Sequence, residues 1–264
     1  MNACDVFLFA AGLGTRLRPH TNQHPKPVLP LLSYPLGYYP LPYLQPLKIN
    51  KFIVNTFHLA PQIHELYQKT ALKPVFSDET GFIKGSAGGL KQAENLLSKN
   101  PILTINADEV LFTENFNFLN DALAFHQAGN HLATLIVKEH PGVGQEFGGI
   151  WCAGDTVKDI GKKVPPPELK GWHFIGFQFL SPEILKTLPV NKEANIFYNY
   201  LINHLDSERV KIFPIKGDWY ETGNIEDYKK AKSTISNKLQ SEKIYQTFFE
   251  KMRSLPKSTL PELA

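Results

Sequence analysis

An apolar run that stops at a glycine-rich turn constrains this chain more than any other feature. Residues 4–10 read CDVFLFA, the pattern of a buried strand, and Ala11-Gly12-Leu13-Gly14-Thr15-Arg16 follows at once. Glycines placed directly after a strand let backbone N–H groups approach phosphate oxygens closely. Arg16 adds a planar, permanently charged fork suited to phosphate. Lys26 stands between Pro25 and Pro27, which stiffen the backbone that aims it. The glycines alone fit a tight strand–helix turn equally well. Together with Arg16 and Lys26 they make three phosphate-compatible elements within fifteen residues. No Gly-Lys-Ser/Thr follows, so this is not the P-loop pattern. The third glycine of the dinucleotide fingerprint is absent as well.

Further along, apolar runs alternate with amphipathic ones. Residues 52–56, 73–77, 101–106 and 131–138 read as strands, and 60–69, 87–98 and 116–128 as helices. This alternation predicts an α/β fold: a Rossmann-like, mixed but mostly parallel sheet sandwiched by helices. The second half is richer in turns. It suggests strands over 147–160, 172–180 and 209–214, a loop at Pro165-Pro166-Pro167, and helices over 182–188 and 195–205. Pro35, Pro40, Pro42 and Pro46 exclude a regular helix over 34–47. Residues 225–253 are polar and helix-prone.

Composition narrows the function classes. With 264 residues, 42% apolar and 20% charged, the chain can bury a core without disulfides or a structural metal. Cys4 and Cys152 have no metal-ligand spacing and suit a reducing compartment. The N-terminal apolar run lacks a basic leader, and no run is long enough to span a membrane. A cytoplasmic protein without membrane attachment is expected. A net charge of +3 is too weak to argue for nucleic acid.

The stretch AAGLGTRLRPHTNQHPKPVLPLL resembles the signature of the sugar-phosphate nucleotidyltransferases, which include mannose-1-phosphate guanylyltransferases and MurNAc-1-phosphate uridylyltransferases. Further segments match that family in order: VNTFHLAPQI, Gly85-Ser86-Ala87-Gly88-Gly89-Leu90, Ile105-Asn106-Ala107-Asp108, Gly176 in HFIGFQFL, and Gly217-Asp218-Trp219-Tyr220-Glu221-Thr222-Gly223-Asn224. The likeness covers about residues 4–230. It implies a nucleotidyltransferase domain over 1–230, with a nucleotide-binding half to about 110 and a sugar-binding half from about 111. A helical tail over 231–264 then either packs on the core or mediates a homodimer.

The resemblance also implies roles. Arg16 and Lys26 would be catalytic, while Gly12, Gly14, Thr15 and Gly88 would approach the nucleotide. Gly148 and Gly176 would make room for a sugar ring. Asp108 and Glu221 would hold Mg²⁺, with Asp218 a rival ligand nearby. Asp108 also stands just past a strand's carboxyl end, where open α/β sheets place ligands, and a hard carboxylate suits Mg²⁺. Glu79 matches an acidic residue upstream of the glycine turn; Asn55 and His58 lie beyond a strand end, and His58 receives no catalytic role. Lys162-Lys163-Val164 stands where the family has Glu-Lys-Pro, so Lys163 would meet the acceptor phosphate, or else belong to a solvated basic turn.

The expected substrates are a nucleoside triphosphate and a sugar 1-phosphate, with guanylyl or uridylyl transfer expected and GTP preferred by likeness to the mannose branch. Cytidylyl transfer to phosphocholine or another alcohol phosphate is a second enzyme reading. A catalytically inactive nucleotide-sugar-binding regulator is a third.

Overall fold

The first strand, β1 (Cys4–Phe9), is buried because both faces of its sheet are covered. Val6 and Leu8 enter one core and Phe7 enters another, as the alternation of side chains along a strand requires. The computed structural model describes residues 3–161 and 163–263. After β1 comes a two-residue hairpin, β2 (Pro30–Leu31) and β3 (Tyr34–Pro35), then β4 (Ile49–Thr56), β5 (Pro74–Asp78), β6 (Ile102–Asn106) and β7 (Val110–Phe112). The second half holds β8 (Ala133–Lys138), β9 (Gly149–Ala153), β10 (Thr156–Gly161), β11 (Lys170–Leu180), β12 (Val210–Pro214) and β13 (Asp218–Tyr220). The α-helices are α1 (Ala60–Gln68), α2 (Gly85–Gln92), α3 (Phe118–Ala128), α4 (Ile196–Asn199), α5 (Ile225–Ser241) and α6 (Lys243–Met252).

Nine strands form one mixed sheet in the order β5-β4-β1-β6-β11-β8-β12-β10-β9. The expected α/β architecture is therefore present. Parallel pairing joins β5, β4, β1 and β6, and also β8 with β12. The remaining pairings, all in the second half or at its border, are antiparallel. Because β9 pairs with β11 as well as β10, the five strands β11-β8-β12-β10-β9 close into a ring.

Several elements differ from their sequence expectation for local reasons. The strand expected over 147–160 is two strands, divided at Gly154, which adopts φ 60° in the turn between antiparallel β9 and β10. The helix expected over 87–98 starts earlier, at Gly85, and ends at Gln92 before a 3-10 turn. The expected helices over 182–188 and 195–205 are mostly 3-10 turns, with one four-residue α-helix. The polar stretch after 225 breaks at Glu242, which is extended, into α5 and α6. Strands β7 and β13 have three residues each and, among the described residues, pair only with each other, too short for a periodic signal.

The proline-rich segment 34–47 is irregular, as the prolines require. Its four tyrosines are nevertheless buried, and three hydroxyls donate to backbone carbonyls: Tyr38 to Leu66, Tyr39 to Leu31 and Tyr43 to Leu111. Tyr228, Ala231 and Ile235 of α5 and Tyr245, Phe248 and Met252 of α6 join the same core, so the C-terminal helices pack on the sheet layer. Among the described residues, no helix is long and apolar enough to cross a membrane.

Candidate active site

Strands β4, β1 and β6 run parallel and in register, with Asn55 beside Phe9 and Phe9 beside Asn106. Their carboxyl ends therefore deliver the glycine turn, Asn55 and Asp108 to one edge of the sheet. That edge is where open α/β sheets bind ligands. Asn55 anchors the turn: its Oδ1 accepts the Ala10 N–H at 2.8 Å. Its Nδ2 donates to Glu79 Oε1 at 2.8 Å, and the other Glu79 oxygen accepts the Lys84 N–H at 2.6 Å. Burial raises the Glu79 pKa, against the pull of these donors and of the Lys84 charge. One buried carboxyl thus joins the turn after β1 to the start of α2.

Gly12, Gly14, Thr15, Arg16, Lys26 and Asp108 line a single cavity of about 270 Å³, together with Gly223. Above Gly12 there is open space, and its backbone can be approached closely. Lys26 is ion-paired to Asp108 Oδ2; their side chains are 12% and 32% exposed, so both are shielded yet reachable. Burial opposes ionisation of Asp108, but the charge and hydrogen bond of Lys26, and then Arg16, hold its pKa below the ordinary value. An adjoining cavity of about 250 Å³ shares Gly12 and Asp108 and adds Asn55, Glu79, Gly85 and Ser86. A larger cavity of about 540 Å³, between β12 and the α5–α6 junction, holds none of the six cavity-lining residues named above. The convergence of cations, glycines and a carboxylate outweighs size in locating the site.

Glu221 follows β13 and comes to the same place from the far end of the chain. Both its Oε1 and the Arg16 guanidinium crowd the space where a Gly223 side chain would stand. The Thr222 hydroxyl lies 3.5 Å from the Asp108 carbonyl oxygen. Glu221 thus stands beside Arg16 and next to Gly223 of the cavity lining, without being part of that lining itself. Asp218, the rival ligand, is bonded by Lys238 and Tyr245 and lines the larger cavity.

The other expected residues lie outside these two cavity linings. Gly88 is pressed against the Lys192 carbonyl, so its missing side chain serves the packing of α2 on residues 192–194. Gly148 lies near the Tyr198 hydroxyl and the Gly161 carbonyl. Lys163 is exposed in the loop before β11, and Lys162 lies outside the described residues. At Gly176, where the sequence suggested room for a sugar ring, the side-chain space is filled by the Glu109 carboxyl. That carboxyl accepts from Asn106 Nδ2 and Trp219 Nε1, each at 2.7 Å. Burial, then the Asp108 charge, push its pKa up to about 8 against those donors. Sequence reasoning passed over Asn55 and Glu109 as site-shaping residues. Their position at strand ends flanking the turn was the available signal.

A family model described as nucleotidyl transferase matches residues 6–238. The UTP–glucose-1-phosphate uridylyltransferase of Synechocystis sp. is 25% identical over 258 residues, covering 90% of this chain and 65% of that protein. The chain thus spans just under two thirds of that relative's length. The N-acetylmuramate alpha-1-phosphate uridylyltransferase of Caulobacter vibrioides is 31% identical over 190 residues, 68% of this chain and 76% of that one. The solved UDP-glucose pyrophosphorylase from Acinetobacter baumanii shares the fold, with a TM-score of 0.76 at 17% identity over 95% of this chain and 98% of that one. With the family model spanning most of its length and the glycine turn, Lys26 and Asp108 gathered at one sheet edge, the chain belongs to the nucleotidyl transferase family, among the sugar-phosphate nucleotidyltransferases that its sequence resembles.

Proposed function

We propose that this protein transfers a nucleoside monophosphate from a nucleoside triphosphate to a sugar 1-phosphate, releasing pyrophosphate and forming a nucleoside diphosphate sugar. The observation that carries the reading is the meeting of Gly12, Gly14, Thr15, Arg16, Lys26 and Asp108 around one cavity. The named activities of the Synechocystis and Caulobacter relatives support it. In this reading residues to about 110 hold the nucleotide, those from about 111 to 230 hold the acceptor, and the reaction takes place in the cytoplasm.

An acceptor phosphate is already ionised near neutral pH, so its attack on the α-phosphorus needs no general base. The obstacle is repulsion between two anions. Backbone N–H groups of the glycine turn and the Arg16 guanidinium would bind the triphosphate and draw off charge. Lys26, now on Asp108, is within the same cavity and would turn its ammonium to a phosphate oxygen. Asp108 and Glu221 fit Mg²⁺: they are hard oxygen donors, and Mg²⁺ commonly takes one or two carboxylates and completes its shell with substrate phosphates and water. Among the described residues no group of three or more His, Cys, Asp or Glu could hold a metal ion. Bound there, the ion would supply Lewis-acid neutralisation of the phosphates.

The donor base in this reading is uracil or guanine. Uridylyl transfer is named in the two relatives above, and guanylyl transfer to mannose 1-phosphate is the expectation from sequence. The test is a matrix of GTP, UTP, dTTP and CTP against mannose 1-phosphate, glucose 1-phosphate, N-acetylmuramate 1-phosphate and phosphocholine, read by pyrophosphate release. One sugar 1-phosphate pair should dominate. Arg16→Ala should lower kcat by about 10²–10³-fold, as loss of a preorganised charge does. Turnover confined to phosphocholine with CTP, or absent throughout with intact folding, would defeat the proposal.

A further inference from the structure

The three residues that bring Glu221 to the site hang between two anchored elements. Upstream is β13, a three-residue strand whose only partner among the described residues is β7. Downstream is α5, which starts at once: the Asn224 side chain caps it by accepting the Asp227 N–H at 2.9 Å. A strand so short has few backbone hydrogen bonds to hold it, so its side chains must fix its place.

Trp219 donates to Glu109, and the other two side chains, of Asp218 and Tyr220, converge on α6. The Tyr245 hydroxyl donates to Asp218 Oδ2 at 2.5 Å, and it lies 2.6 Å from the Tyr220 hydroxyl. A hydroxyl has one proton, so Tyr220 is the donor to Tyr245. The chain of bonds therefore runs Tyr220 to Tyr245 to Asp218, with Tyr245 the member common to both ends of β13. Lys238 of α5 reaches the same Asp218 oxygen at 2.8 Å. The Tyr245 ring is fully buried and stacked on Phe112 of β7, centroids 4.2 Å apart. Its ring is thus held by packing, and its hydroxyl is free to act as a fixed post.

We propose that Tyr245 is a positioning residue for the active site: its hydroxyl, gripping Asp218 and Tyr220, sets where Glu221 and Gly223 stand relative to Asp108 and Arg16. This gives the C-terminal helix pair a share in the reaction, and it rests on the nucleotidyl-transfer reading for its kinetic consequence. The geometric part stands apart from that reading.

Tyr245→Phe isolates the hydroxyl, because the phenyl ring keeps the stack on Phe112. Hydrogen exchange of residues 218–223 should quicken by tenfold or more, while β1 and β4 stay unchanged. With the best substrate pair, kcat should fall about tenfold. KM for the triphosphate, whose phosphates meet residues 12–16, should stay within twofold. Tyr220→Phe should move the same readouts in the same direction, and it decides the matter if Tyr245→Phe does not fold. Lys251→Ala, on the same helix, should leave kcat unchanged. Unaltered exchange over 218–223 overturns the proposal, as does faster exchange with unchanged kcat. A wild-type protein without turnover on any substrate pair would instead sink the transfer reading, and the exchange measurement would still judge the anchor.

Discussion

Gly176→Ala tests the packing beneath the site most directly. Gly176 adopts φ 79°, in the left-handed region that an L-residue occupies at a cost of about 1–2 kcal/mol. An alanine methyl there would also overlap the Glu109 carboxyl, which must then leave its donors Asn106 and Trp219. Glu109 is 8% exposed, so water cannot replace those bonds fully, and an unsatisfied buried polar group costs about 1–3 kcal/mol. Together the loss should be about 2–5 kcal/mol, or about 4–20 °C in melting temperature for a chain of this size. Urea unfolding of the single variant and of Gly176→Ala with Glu109→Ala forms a double-mutant cycle. With the carboxyl removed, the glycine substitution should cost only the backbone share, about 1–2 kcal/mol. A single variant within about 0.5 kcal/mol of wild type, or strictly additive effects, would refute this account of why glycine is needed there.

Asn55→Ala should destabilise the protein by about 1–3 kcal/mol by stranding the Ala10 N–H and one Glu79 oxygen; it should also raise KM for the triphosphate, which initial-rate kinetics will show. Asp108→Asn should reduce turnover to near background and weaken Mn²⁺ binding followed by electron paramagnetic resonance, whereas unchanged binding would remove Asp108 from the metal site. His126, 3% exposed and bonded to Thr134, has its pKa lowered by burial from 6.5 to about 4. The unfolded chain therefore takes up this proton first. The stability it contributes is full above pH 6.5 and falls away as pH drops toward 4, by up to about 3 kcal/mol. His126→Gln should flatten that part of the pH–stability curve, and an unchanged slope would contradict the burial argument.

Much of the first half could be read in the chain because its signals are local. Strand β1 and its glycine turn are contiguous, Lys26 follows ten residues after Arg16, and Asp108 sits two residues past β6. Runs of alternating or periodic apolar residues report directly on burial, which is why β4, β6, α1 and α3 appeared near their actual bounds. The second half spoke less clearly. Its strands pair antiparallel across long separations and close into a ring, and a pairing partner leaves no mark on the strand that needs it.

By itself, the sequence determined an α/β chain with a phosphate-ready loop and a carboxylate at a strand end. Only the tertiary structure decided which distant groups share that loop's space. It brought Glu221 beside Arg16 at Gly223, filled the hollow at Gly176 with Glu109, and turned the C-terminal helices onto β13 through Tyr245. The reason is physical. Local propensity depends on neighbours within a few residues, whereas a site is made by side chains that meet only after the chain has closed its long loops around a common core.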